Sequence, residues 1–141
     1  MPDDDTLRRL LTECRTIAVD GLSDRPDRPS NETASYLQRH GYRIVPVNPN
    51  CIQVLGQRSY PDLLQAAAAL AREGGRIDMV DCFRKSRDIP PIVEQAMVFG
   101  PKCVWMQLGI EHPEAAAKAR AAGIEVVEDR CVRIEHRRLL A

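Results

Sequence analysis

The chain has 141 residues, of which 44% are hydrophobic, the size and composition of one domain, spanning residues 1–141, that can bury a proper core. Lys plus Arg and Asp plus Glu number 20 each, so a formal net charge of +0 gives no long-range pull towards nucleic acid or an anionic membrane, and any anion site has to be local. No apolar run approaches the roughly 20 residues of a spanning helix, and the acidic start "MPDDDTLRRL" is unlike a signal peptide, so a cytoplasmic protein is expected.

In chain order, a short helix from Thr6 to Glu13 precedes the strand "TIAV", and a helix from Ser30 to His40, stopped by Gly41, leads to the strand "RIVPV". After "NPN", the residues around "GQRSY" suggest a short edge strand before an alanine-rich helix from Pro61 to Glu73. The strand "IDMVDCF", a helix from Ile89 to Phe99, the strand "CVWMQ", a helix from Pro113 to Ala122 and the strand "IEVVED" follow, with a helical turn or two over "CVRIEHRRLL". Apolar runs alternating with helical patterns predict the α/β class, a parallel sheet joined by crossover helices. The five cysteines, Cys14, Cys51, Cys82, Cys103 and Cys131, are odd in number and form no C-x-x-C pair, which speaks against a disulfide framework and against a zinc site.

Ligands of such sheets bind beyond the carboxyl ends of the strands. The segments there are "DGLSDRPDRPS", "NPN", "FRKSRDIP" and "QLGIEHP". A dinucleotide cofactor needs several glycines at the first turn, whereas Gly21 is followed by Leu22, Ser23 and a bulky charged loop; the second strand ends in Asn48-Pro49 where an acidic residue would hold a ribose. An NAD-binding oxidoreductase is therefore the weakest reading. Ser23, Arg25 and Arg28 stand close to a helix start expected to be capped by Ser30, which suits a phosphate-rich ligand. The competing reading pairs Arg25 and Arg28 with Asp24 and Asp27 on a solvated loop.

Five motifs in order, "G-L-S-x-x-P-x-R-P-S", "PVNP", "D-x-F-R-x-S", "WMQLG" and "D-R-C-x-x-x-E-H", resemble a stand-alone CoA-binding domain protein, similar to the N-terminal CoA-binding domain of the succinyl-CoA synthetase α subunit, from Thr16 to His136. The resemblance implies a Rossmann-like three-layer fold, with five to six mostly parallel strands in the order 3-2-1-4-5-6, a short third strand and helices on both faces. It implies that coenzyme A is the ligand. The turn Gly21, Leu22, Ser23 and Arg25, with Arg28 and Ser30 at the helix start, would hold the phosphates of the 3′-phospho-ADP part. Asn48 and Pro49 would line the adenosine side, with Arg43 an extra phosphate contact. Phe83, Arg84 and Ser86 would supply an apolar cover and a forked guanidinium contact, and Met106, Gln107 and Leu108 would border the pantetheine arm. Asp20 departs from the pattern, standing where the family carries a small or apolar residue; Arg25 or Arg130 is expected to neutralise it.

The synthetase domain is a carrier site, so a binding protein without chemistry of its own is the leading expectation. The alternative is a thiol-dependent enzyme acting on acyl-CoA through Cys131, with Glu135 or His136 as the base that forms its thiolate. The stronger reading goes against it: Cys131 packs as a small core residue, and Glu135-His136 caps or salt-bridges the terminal helix.

Overall fold

The structure is a computed structural model and describes residues 2–141. Strands β1 (Thr16–Asp20), β2 (Arg43–Val47), β5 (Met79–Cys82), β6 (Cys103–Met106) and β7 (Glu125–Val127) form one sheet in the order β2-β1-β5-β6-β7, every pair parallel. Helices α1 (Asp4–Glu13), α2 (Pro29–Arg39) and α6 (Val132–Leu139) cover one face. Helices α3 (Leu63–Arg72), α4 (Ile89–Phe99) and α5 (Pro113–Ala121) cover the other. The result has the α/β class and parallel sheet expected from the alternating pattern, and the three layers that the resemblance implies. Among the described residues, no helix is long and apolar enough to cross a membrane.

Strand alternation explains the two cores. On β1, Ile17 and Val19 face Leu7, Leu10 and Leu37, whereas Ala18 faces the opposite layer with Leu63, Leu70 and Val93. Because both faces are covered, the strands read as nearly continuous apolar runs, and the aspartates within and beside them stand out.

The third strand differs from expectation. The chain after β2 makes a separate antiparallel hairpin, β3 (Gln53–Val54) with β4 (Gln57–Arg58), turned by Leu55 and Gly56 at φ of 51° and 75°. With its backbone folded into that tight turn, the segment reaches the main sheet only as a single parallel bridge between Tyr60 and Val47, beside β2 where the expected order sets the third strand. Helix α2 also begins one residue earlier than predicted. Pro29, whose ring presets a helical φ, occupies the first turn, so Arg28 takes the cap position without a side-chain bond and Ser30 is not the cap.

Candidate functional site

The strand order turns around between β1 and β5, because the chain leaves β1 towards β2 on one side and reaches β5 on the other. The loops after these two strands diverge there and open a crevice at their carboxyl ends. Gly21 is the point where the loops touch. Its φ is +90°, and a Cβ placed on it would lie 2.4 Å from the Phe83 carbonyl oxygen, so only glycine lets the two backbones approach. The Phe83 N–H donates to the Asp20 carbonyl at 2.9 Å and the Gly21 N–H to the Val47 carbonyl at 2.9 Å, tying the ends of three strands together.

The loop between β1 and α2 is held by its own polar groups. Ser30 Oγ accepts the Ser23 N–H at 3.0 Å, Asn31 Nδ2 donates to the Ser23 carbonyl at 2.8 Å, and Asn48 Nδ2 donates to the Leu22 carbonyl at 2.9 Å. Ser30 thus closes the loop instead of capping the helix. A cavity of about 340 Å³ lies against it, lined by Gly21, Ser23, Arg28, Pro29, Ser30 and Phe83. Pro29 has no N–H to offer, so the first backbone donors of α2 belong to Ser30 and Asn31.

A larger cavity of about 880 Å³ adjoins the first and shares Pro29 and Phe83 with it. Glu32 and Thr33 of α2 form one wall, and Phe83, Arg84, Lys85 and Asp88 after β5 another. Gln107, Leu108 and Ile110 after β6, with Cys131, Arg133 and Ile134 at the start of α6, complete it. Leu108 and Ile134 are 60% and 51% exposed, so this rim is apolar and open.

Two buried aspartates lie beneath these walls. Asp20 is paired with Arg84, whose Nε donates to Oδ1 at 2.9 Å. The expected partners, Arg25 and Arg130, are engaged elsewhere: Arg25 with Asp27 at 3.8 Å, Arg130 with Glu135. The register Asp20↔Cys82 is the reason, since it sets the residues that follow β5 alongside the end of β1. Burial raises the Asp20 pKa, against the opposing bond from Arg84. Asp81 is fully buried on β5, and Gln107 Nε2 donates to its Oδ1 while Oδ2 has no partner. Desolvation pushes its pKa up to about 7.

The structure therefore gathers Gly21, Ser23, Arg28, Ser30 and Phe83 around one cavity and Phe83, Arg84, Gln107, Leu108 and Cys131 around the other. Other predicted residues stand apart. Leu22 and Met106 are fully buried in the two cores. Asn48 holds the loop, with exposed Pro49 beside it. Ser86 Oγ accepts the Glu111 N–H at 3.0 Å, joining two loops behind the cavity. Arg43 opens β2 at the opposite end of the sheet, paired with Glu73 at 3.1 Å. His136 is buried against Tyr36, whose hydroxyl lies 2.8 Å from Nδ1, and burial lowers its pKa. Glu135 is bonded by Arg130 and Arg138. Neither of these two turns to Cys131. The larger cavity is also lined by Pro29, Glu32, Thr33, Lys85, Asp88, Ile110, Arg133 and Ile134, which look like ordinary helix and loop residues in sequence; Asp81 carries a signal there, a carboxylate inside an apolar strand.

Residues 15–137 match the family model described as a CoA binding domain. The chain belongs to the CoA-binding domain family. An uncharacterised protein of Bacillus subtilis, YneT, is 33% identical over 135 residues, covering 96% of this chain and 95% of that one. Among solved structures, a hypothetical protein from Pyrococcus horikoshii is similar with a TM-score of 0.90 and 38% identity, covering 99% of this chain and 94% of that one. A Thermus thermophilus protein, cell-free ID.343, has a TM-score of 0.86 and 34% identity over 99% of this chain and 100% of that one. The agreement extends over nearly the whole chain, so the family's domain and this fold coincide.

Proposed function

We propose that this member of the family binds coenzyme A or an acyl-CoA without a chemical step of its own. The observation that carries the reading is the pair of adjoining cavities that meet at Pro29 and Phe83. The smaller one suits the phosphates of the 3′-phospho-ADP part, because it combines Arg28, the hydroxyls of Ser23 and Ser30 and the positive end of α2. The larger one, within the usual volume range of ligand sites, suits the pantetheine arm, which needs an apolar channel with few polar groups. Arg84 lines the larger one, next in sequence to the Phe83 that both share. Its Nε is committed to Asp20, which fixes the guanidinium plane and leaves the terminal nitrogens for a phosphate oxygen.

Calorimetric titration with coenzyme A and with dephospho-CoA, alongside native mass spectrometry of the purified protein, tests the reading. Saturable binding of coenzyme A, about tenfold weaker without the 3′-phosphate, is the expected result. Absence of binding to either compound overturns it.

One observation favours a second reading, in which Cys131 attacks an acyl-CoA: Cys131 is among the residues that line the larger cavity. The engagement of Glu135 and His136 counts against it, since a thiol needs a neighbouring base or cation to become a nucleophile. Acyl-CoA turnover that disappears in Cys131→Ala would establish this reading in place of the first.

A further inference from the structure

Asp81 has no place in the phosphate site. It is the third residue of its strand, fully buried, and one of its oxygens is satisfied only by a side chain that itself lines the larger cavity. A buried carboxyl with an unfilled oxygen is destabilising and is retained where it does something that packing alone cannot.

Gln107 is also buried, at 4% exposure, and follows β6 at the cavity wall. Its amide has one donor end and one acceptor end of nearly the same shape, so either could face a ligand. The carboxylate decides between them. Above its pKa of about 7 the carboxyl only accepts, so an Nε2 N–H turns towards Asp81, and Oε1 is the acceptor left for the cavity. Neither cross-strand neighbour competes: Val19 and Trp105 pair with Asp81 across the sheet, and the Trp105 Nε1 donates to the Arg130 carbonyl.

We propose that Asp81 is a positioning residue that holds the Gln107 amide with its oxygen presented to the larger cavity, so that this part of the site accepts a hydrogen bond from an N–H group in the arm of the ligand. The assignment rests on the coenzyme A reading above. It adds the part of the ligand that is recognised, an amide N–H of the pantetheine arm, and a reason for a buried carboxyl at the end of β5.

The test compares affinities at pH 8, where the carboxyl is ionised, for coenzyme A and for adenosine 3′,5′-bisphosphate, which lacks the arm. Asp81→Asn keeps the shape but can accept or donate, so the Gln107 amide is no longer oriented. Affinity for coenzyme A is expected to fall about tenfold while affinity for the bisphosphate stays unchanged. The double variant Asp81→Asn with Gln107→Glu reverses the pair: the amide introduced on β5 donates, and the carboxylate introduced on the cavity wall keeps one oxygen for the ligand. It is expected to recover most of the lost coenzyme A affinity. Equal losses for both ligands, no loss for either, or a double variant no better than the single one overturns the assignment. Failure of the wild-type protein to bind coenzyme A at all overturns instead the reading on which it rests, and the assignment with it.

Discussion

The two ends of strand β5 each carry a buried aspartate, and they are treated in opposite ways. Asp78, just before the strand, is saturated: its Oδ2 accepts the backbone N–H groups of Arg15 and Thr16, both at 3.0 Å, and its Oδ1 lies 3.4 Å from Arg76. Around it the amino end of the sheet is closed by ion pairs such as Arg43–Glu73 and Arg9–Glu125. Asp81, at the carboxyl end, holds one amide and leaves an oxygen unfilled, beneath open cavities. At the amino end the buried carboxylate is spent on holding backbone, whereas at the carboxyl end one carboxylate oxygen stays without a partner beside a cavity wall.

The comparison predicts different failures. Asp78→Ala should cause the largest loss, on the order of 3–5 kcal/mol by denaturant titration, because it leaves two backbone donors without their acceptor. The fraction that still folds should bind coenzyme A normally, the ligand end lying more than about 10 Å away, roughly four residues along the strand. An affinity change beyond about twofold would break the separation of the two ends.

Asp81 should show the reverse sign. Its pKa of about 7 in the folded state, against 3.8 as the ordinary value, means that the folded protein retains a proton the unfolded chain has released. The stability due to this group is present below about pH 4 and is lost as pH rises to about 7. Asp81→Asn is spared that loss, so its advantage over the wild type should grow by on the order of 2–4 kcal/mol between pH 4 and pH 8. Parallel stability curves would show that Asp81 does not titrate in this range.

Arg84→Ala removes the counter-ion of the buried Asp20 as well as a candidate phosphate contact. A stability loss of about 1–2 kcal/mol should accompany its loss of affinity, the pair being partly exposed. Arg28→Ala, on an exposed loop, should lower affinity about tenfold with an unchanged denaturation midpoint. If the two variants behave alike in both assays, the distinction between a structural and a ligand-facing arginine fails.

The smallest effect concerns thiols. Cys14, Cys82 and Cys103 are buried and burial raises their pKa values, that of Cys14 to about 12, whereas Cys51 and Cys131 are partly exposed. A thiol reagent should therefore modify Cys51 and Cys131 first, and coenzyme A should slow only Cys131, as peptide mass mapping can read. Equal protection of both would place the arm elsewhere.

The layer architecture was legible in the sequence because periodicity is local: apolar runs bounded by Gly41 and by Gly74-Gly75 can form little else than covered parallel strands and their helices. The motifs at the strand ends were legible for the same reason, and they pointed to the family that the chain belongs to. Partnership was not legible. That Arg84 serves Asp20 and that Ser30 closes the loop after β1 follow from strand register and from one proline at a helix start. The pairing of Asp81 with Gln107 joins residues 26 positions apart, across neighbouring strands whose alignment no local pattern encodes. Side-chain type and spacing determined which groups stand at the carboxyl ends; packing of the two layers decided which of them are bonded within the fold and which line the cavities.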